Sequence, residues 1–239
     1  MTRRTRATRW TGACLLIAVI TPGVPSGMAQ ITGADAAWTS RFDVAAGDFV
    51  SSGRGAFFVL EPGRVAEFAT PDRRGRLQIS VLGETRTVAG VETRIVEERE
   101  WEGDEIIEVS RNYFAVSRST GGLFYFGEDV DTYSGGRVSG HDGSWRAGVG
   151  GARFGLALPG RPLLGARYYQ EVAPGVAMDR AEVVSLTAVV ETPAGTFRDA
   201  LRIEETTPLE PGVKEYKVYA RGVGLVQDGE LRLVRVTDR

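Results

Sequence analysis

From Phe57 onward, apolar and polar positions alternate in short runs rich in Val, Ile, Phe and Tyr. Gly, Pro and Asp break these runs at intervals of roughly ten residues. In RLQISV, Leu77, Ile79 and Val81 share a face; in AEVVSLTAVVE, Val184, Leu186 and Val190 do; in TFRDALRIEE, Phe197, Leu201 and Ile203 do. Alternation of this kind buries one face of a strand and leaves the other wet, which belongs to antiparallel sheets. Turn signals stand at Glu61-Pro62-Gly63, Ala89-Gly90, Gly103-Asp104, Gly135-Gly136, Pro193-Ala194-Gly195 and Asp228-Gly229. Connections this short make neighbours in sequence neighbours in the sheet. The expected fold is all-β: an antiparallel meander of about ten or more strands, curled by its twist into a barrel, half-barrel or sandwich.

Two stretches break the pattern. Residues 30–56 carry no sustained period and read as an irregular lead-in to a single β-rich domain over 57–239. Near 147–166 the chain is dense in Gly and Pro and contains Leu156, Leu158, Leu163 and Leu164. This predicts a crossing loop that buries apolar side chains over one end of the sheet, or a lid over a cavity. Farther on, Pro208 to Gly212 predicts a hairpin between TFRDALRIEET and VKEYKVYA. Its expected register sets Glu204 against Lys217, because a slip by one would set Glu205 against Glu215.

The first residues change where the domain is expected to work. Arg3, Arg4, Arg6 and Arg9 precede the apolar run GACLLIAVI, and small residues follow. Such a run is too short to span a bilayer core of ~30 Å as a helix. The order predicts a signal peptide over 1–29, cut after Ala29, with Gly27 and Ala34 as other cleavage points. The protein is then secreted or periplasmic. Cleavage removes Cys14, the only cysteine, so no disulfide and no thiolate site remains. Removing the four arginines from 29 basic residues leaves 25 against 31 acids, a net charge of about −6. That argues against a nucleic-acid partner, and no later segment has the length of a membrane-spanning helix.

The blocks YFGEDVDTY, GSWRAG and ETTPLEPGVKEYKVYARGVGLV, with YYQEVAPGVAMDRAEVV between them, resemble a family of exported bacterial proteins of unknown function. The likeness runs from about Phe57 to Val226. It implies export and one β-rich unit, and it implies no activity and no functional residues.

The densest polar group is LFYFGEDVDTY. On a strand, Tyr125, Asp129, Asp131 and Tyr133 fall on one face, and Phe124, Phe126, Glu128 and Val130 on the other. Two same-face aspartates repel one another unless arginines from a neighbouring strand or a hard cation such as calcium sits between them, or both are simply solvated. Asp129 and Asp131 are therefore the metal candidates, although the glycine and distal glutamate of a calcium loop are absent. Glu128 shares a face with two phenylalanines. There it would carry a raised pKa, unless an arginine pairs with it or a bulge at Gly127 turns it outward. His141 lies beside Ser139, Asp142 and Ser144, but adjacent turn positions do not converge into a triad, and the sequence reads as a surface turn.

Trp101, Tyr125, Tyr133 and Trp145 join Glu128, Asp129 and Asp131 as ligand-binding candidates, because aromatic side chains line pockets as readily as they fill cores. No catalytic motif and no cofactor signature is present. The function expected is non-enzymatic binding of a small or lipid-like ligand inside a curled sheet. A secreted hydrolase or lyase built on carboxylates, and an interaction or structural module of the cell envelope, are the alternatives.

Overall fold

The structure is a computed structural model that describes residues 38–238; the expected signal peptide and its cleavage points lie outside the described residues. The first strands are β1 (Phe49–Val50), β2 (Gly53–Arg54), β3 (Val59–Leu60), β4 (Val65–Ala69), β5 (Gly75–Val88) and β6 (Val91–Glu102). Then come β7 (Glu105–Ser117), β8 (Leu123–Ser134), β9 (Arg137–Gly140), β10 (Trp145–Arg146), β11 (Arg153–Leu158) and β12 (Arg167–Tyr169). The last are β13 (Glu171–Val172), β14 (Arg180–Thr192), β15 (Gly195–Thr206), β16 (Glu215–Ala220), β17 (Gly224–Asp228) and β18 (Leu231–Thr237). Among the described residues there is no α-helix, only a 3-10 turn at Ala46–Asp48.

Hydrogen bonding runs β12-β14-β15-β16-β17-β18-β4-β5-β6-β7-β8-β11-β13, antiparallel throughout. Its two ends are one stretch of chain, because β12 and β13 are separated only by Gln170. β12 pairs with β14 and β13 with β11, so this split strand nearly closes the sheet into a barrel. Where β5 turns into β6, Ala89 (φ 49°) and Gly90 (φ 79°) form the two-residue turn whose positive φ values match the twist of a hairpin.

The registers define the inner wall. Val81, Ile79 and Leu77 of β5 stand opposite Val96, Glu98 and Glu100 of β6, which stand opposite Asn112, Ser110 and Glu108 of β7. One apolar cluster inside the barrel joins Phe57, Phe58 and Leu60 to Val81, Val96, Leu201 and Ile203. A second lies on the other face of β7 and β8, around Phe49, Phe124, Phe126 and Trp145. A third gathers Phe68, Leu77, Val218, Leu231 and Leu233.

Several sequence expectations are corrected in detail. The lead-in is not wholly irregular: Thr39 bridges Tyr168, β1 pairs with β7, and Phe42 and Phe49 pack on the second cluster. Bulges in β14 shift its faces, so Val183 rather than Val184 is buried with Leu201 and Ile203, and Phe197 packs in the third cluster apart from them. The stretch 147–166 is not loop throughout. It contains strand β11, which buries Leu158 and packs Leu156, whereas Leu163 and Leu164 stand 71% and 68% exposed.

The β15–β16 hairpin takes the register expected to be avoided, with Glu205 opposite Glu215 and Ile203 opposite Lys217. Diagonal contacts resolve the apparent repulsion. Lys217 Nζ reaches Glu205 at 2.9 Å inside the barrel, while on the other face Glu204 accepts from Lys214 Nζ at 2.9 Å and from Tyr216 Oη at 2.7 Å.

Candidate functional site

Between the first apolar cluster and the acids of the inner wall lies a cavity of about 210 Å³. Its apolar lining includes Phe57, Phe58, Leu60, Val81, Leu123 and Leu158. Its polar lining carries Glu98, Glu128, Glu171, Glu205 and Asp228, with Asn112, Tyr125, Gln170, Lys217 and Tyr219 among them.

Each polar group is held by the strand that carries it. Tyr125 stacks on Phe114 with ring centroids 4.8 Å apart and donates to Asn112 Oδ1 at 2.6 Å. Asn112 in turn donates to Ser110 Oγ at 3.0 Å. Glu171 accepts the Asp179 backbone N–H at 2.7 Å, and Gln170 Nε2 donates to Glu205 at 2.9 Å. Lys217, between Glu205 and Asp228, lies 3.8 Å from the second.

Glu128 reaches this wall through a bulge. β7 and β8 fall out of step between the pairs Asn112 with Glu128 and Phe114 with Tyr125, where Phe126 and Gly127 together stand against Tyr113, one residue more than the pairing needs. Gly127 has φ 142°, and a Cβ there would lie 2.4 Å from the Trp145 carbonyl oxygen. A bulge was one expected outcome, but it turns Glu128 inward beside Tyr125 rather than outward. Glu128 therefore does not share a face with Phe124 and Phe126, which pack outside the wall.

Burial sets the protonation of this wall. It pushes Glu171 up to about 8, against the pull of the Asp179 N–H, and Glu108 up to about 8, aided by Glu98. Asp228 and Asp179 are pushed up to about 7 by the same cause. Burial also raises Glu98, and it lifts Glu128 and Glu100 well above the usual carboxylate range, with neighbouring acids adding to the effect. For Lys217 burial opposes the charge, yet Asp228 and Glu205 outweigh it and hold the ammonium well above its ordinary range.

Of the candidates named from sequence, Tyr125 and Glu128 meet in the cavity. Asp129 and Asp131 lie on the outer face. Asp129 accepts from Arg86 at 3.0 Å and Tyr113 at 2.6 Å and pairs with Arg146, and Asp131 is 3.6 Å from Arg111 and 2.8 Å from His141. Among the described residues no group of three or more His, Cys, Asp or Glu side chains is placed to hold a metal ion. Trp145 is buried in the outer cluster, edge-to-face with Tyr125 at 5.2 Å. Trp101 lies under Arg76 at 5.4 Å, and Tyr133 sits near the β8–β9 turn, opposite Val138. His141 is in an exposed turn, Ser139 donates to the Thr132 carbonyl at 3.2 Å, and Ser144 accepts the Val130 N–H at 2.9 Å, so no triad forms.

No family model, curated protein or solved structure matches this chain. Sequence reasoning missed Glu98, Glu171, Glu205, Lys217 and Asp228. A signal was available for two of them: Glu98 falls on the parity of Val96, and Glu205 on that of Leu201 and Ile203, so each places an acid where alternation asks for an apolar residue.

Proposed function

We propose that the protein is a non-enzymatic binding barrel that works outside the cytoplasm and takes a small, largely apolar ligand into its interior. The observation that carries the reading is a cavity whose lining combines phenylalanine, leucine and valine with several hydrogen-bonding groups. Ligand sites have this composition: apolar surface supplies affinity and a few fixed polar groups set orientation. Export is supported by the basic and apolar order of the first 29 residues. The hydrolase alternative loses two of its three acids, because Asp129 and Asp131 are taken up by arginines on the outer face.

The test is titration with the neutral apolar fluorophore N-phenyl-1-naphthylamine, compared with an Ala157→Trp variant that fills the cavity from one of its lining positions. Binding to the wild type that weakens at least tenfold in the variant is expected. Equal binding to both proteins would place the dye elsewhere and refute the reading.

A further inference from the structure

We propose that the molecule bound in the cavity carries a cationic nitrogen on an apolar body, its charge met by Glu98, Glu128 and Glu171. This rests on the binding reading above and adds the chemistry of the ligand's head. Among the described residues five carboxylates line the cavity and Lys217 is the one ammonium with them, already held by Glu205 at 2.9 Å and Asp228 at 3.8 Å. The other cation at the cavity, Arg64, is taken up by Asp238 at 2.8 Å and by the Val223 carbonyl. Among the described residues Glu98, Glu128 and Glu171 form no ion pair of their own; Lys217 acts on Glu98 and Glu171 only from a distance, while it is held by Glu205 and Asp228.

A second observation points the same way. One step along the inner face from Glu98, Glu100 is 6% exposed and its Oε1 has no hydrogen-bond partner among the described residues. A buried carboxylate either keeps its proton or meets a positive charge, and leaving it ionised and alone is far more costly than either. An anionic head would be repelled by this wall. A basic head would pair with one of these acids in its ionised form and donate hydrogen bonds to its neighbours, while its apolar body lay against Phe57, Phe58 and Leu123. Amine binding would also draw protons off these acids, because a nearby cation favours the ionised form.

Isothermal titration of the purified protein at pH 8 with octylamine, 1-octanol and octanoate separates the possibilities. The expected result is octylamine binding at least tenfold tighter than either analogue, with proton release detected by repeating the titration in buffers of different ionisation heat. Glu98→Gln and Glu171→Gln should each weaken octylamine at least tenfold and leave octanol within twofold. Octanol or octanoate binding as tightly as the amine to the wild type would overturn the proposal, as would amine binding indifferent to both substitutions. If none of the three binds, the ligand-binding reading itself fails.

Discussion

Replacing Glu171 by Gln removes one titrating group from the barrel and keeps its shape. Burial pushes this carboxyl to about 8, against an ordinary 4.5. Below pH 4.5 the folded and unfolded chains both hold the proton. Above it the unfolded chain gives the proton up while the folded chain keeps it, so stability falls by about 1.4 kcal/mol per pH unit. By pH 7 the loss from this one group is roughly 3 kcal/mol, and it levels off near pH 8, where the folded chain also ionises. Glutamine has no proton to lose and still offers an oxygen to the Asp179 N–H. Its extra amide donors can add a fixed penalty, but a fixed penalty does not change with pH. In urea melts at pH 5, 6, 7 and 8, the stability of Glu171→Gln relative to the wild type should therefore rise by about 1 kcal/mol per unit. A difference that stays flat over this range would refute the claim that Glu171 is held neutral by burial.

Lys217→Met should lower stability at pH 8 by about 3–5 kcal/mol, since it leaves Glu205 and Asp228 buried without their cation. The loss should shrink at pH 5, where Asp228, pushed up to about 7, is protonated; urea melts showing the same loss at both values would contradict this. Gly127→Ala should cost about 1–3 kcal/mol or more, because φ 142° suits glycine and the added Cβ meets the Trp145 carbonyl; a melting temperature within error of the wild type would count against the bulge. Asp129→Asn should cost about 1 kcal/mol through its partly exposed arginine pairs, by the same amount with calcium as with chelator. A calcium-dependent difference would restore the metal reading.

The barrel was legible because its hairpins are local. Ala89-Gly90, Gly103-Asp104 and Gly135-Gly136 each join strands that pair at once, and turn chemistry is written in adjacent residues. Closure was not legible, since it depends on β11 returning to β8 and on the chain splitting at Gln170 between two partners. Bulges hid the rest. Alternation predicts a face only until an extra residue is inserted, and the insertions at Gly127 and within β14 moved Glu128 inward and exchanged Val184 for Val183. The cavity escaped for a third reason. Its acids come from β6, β8, β13, β15 and β17, so their convergence is a property of the closed barrel and of no single segment.

A small barrel ordinarily fills its interior with apolar side chains, and one that lines it with carboxylates must find stability elsewhere. Here much of it lies outside the wall. Residues 42–49 pack on the outer face of β7 and β8, where Phe49 meets Phe124, Phe126 and Phe154 edge-to-face at 5.1 to 5.8 Å. Each buried ring contributes about 1.5–3 kcal/mol by leaving water, and such ring pairs add about 0.5–1.5 kcal/mol apiece. Sums of that size are comparable with the penalty of several buried acids. They are also made by residues that never touch the cavity. The barrel's fold and its interior chemistry are thus carried largely by different side chains, which is why neutralising Glu98 or Glu171 should alter what the cavity binds while the wall remains standing.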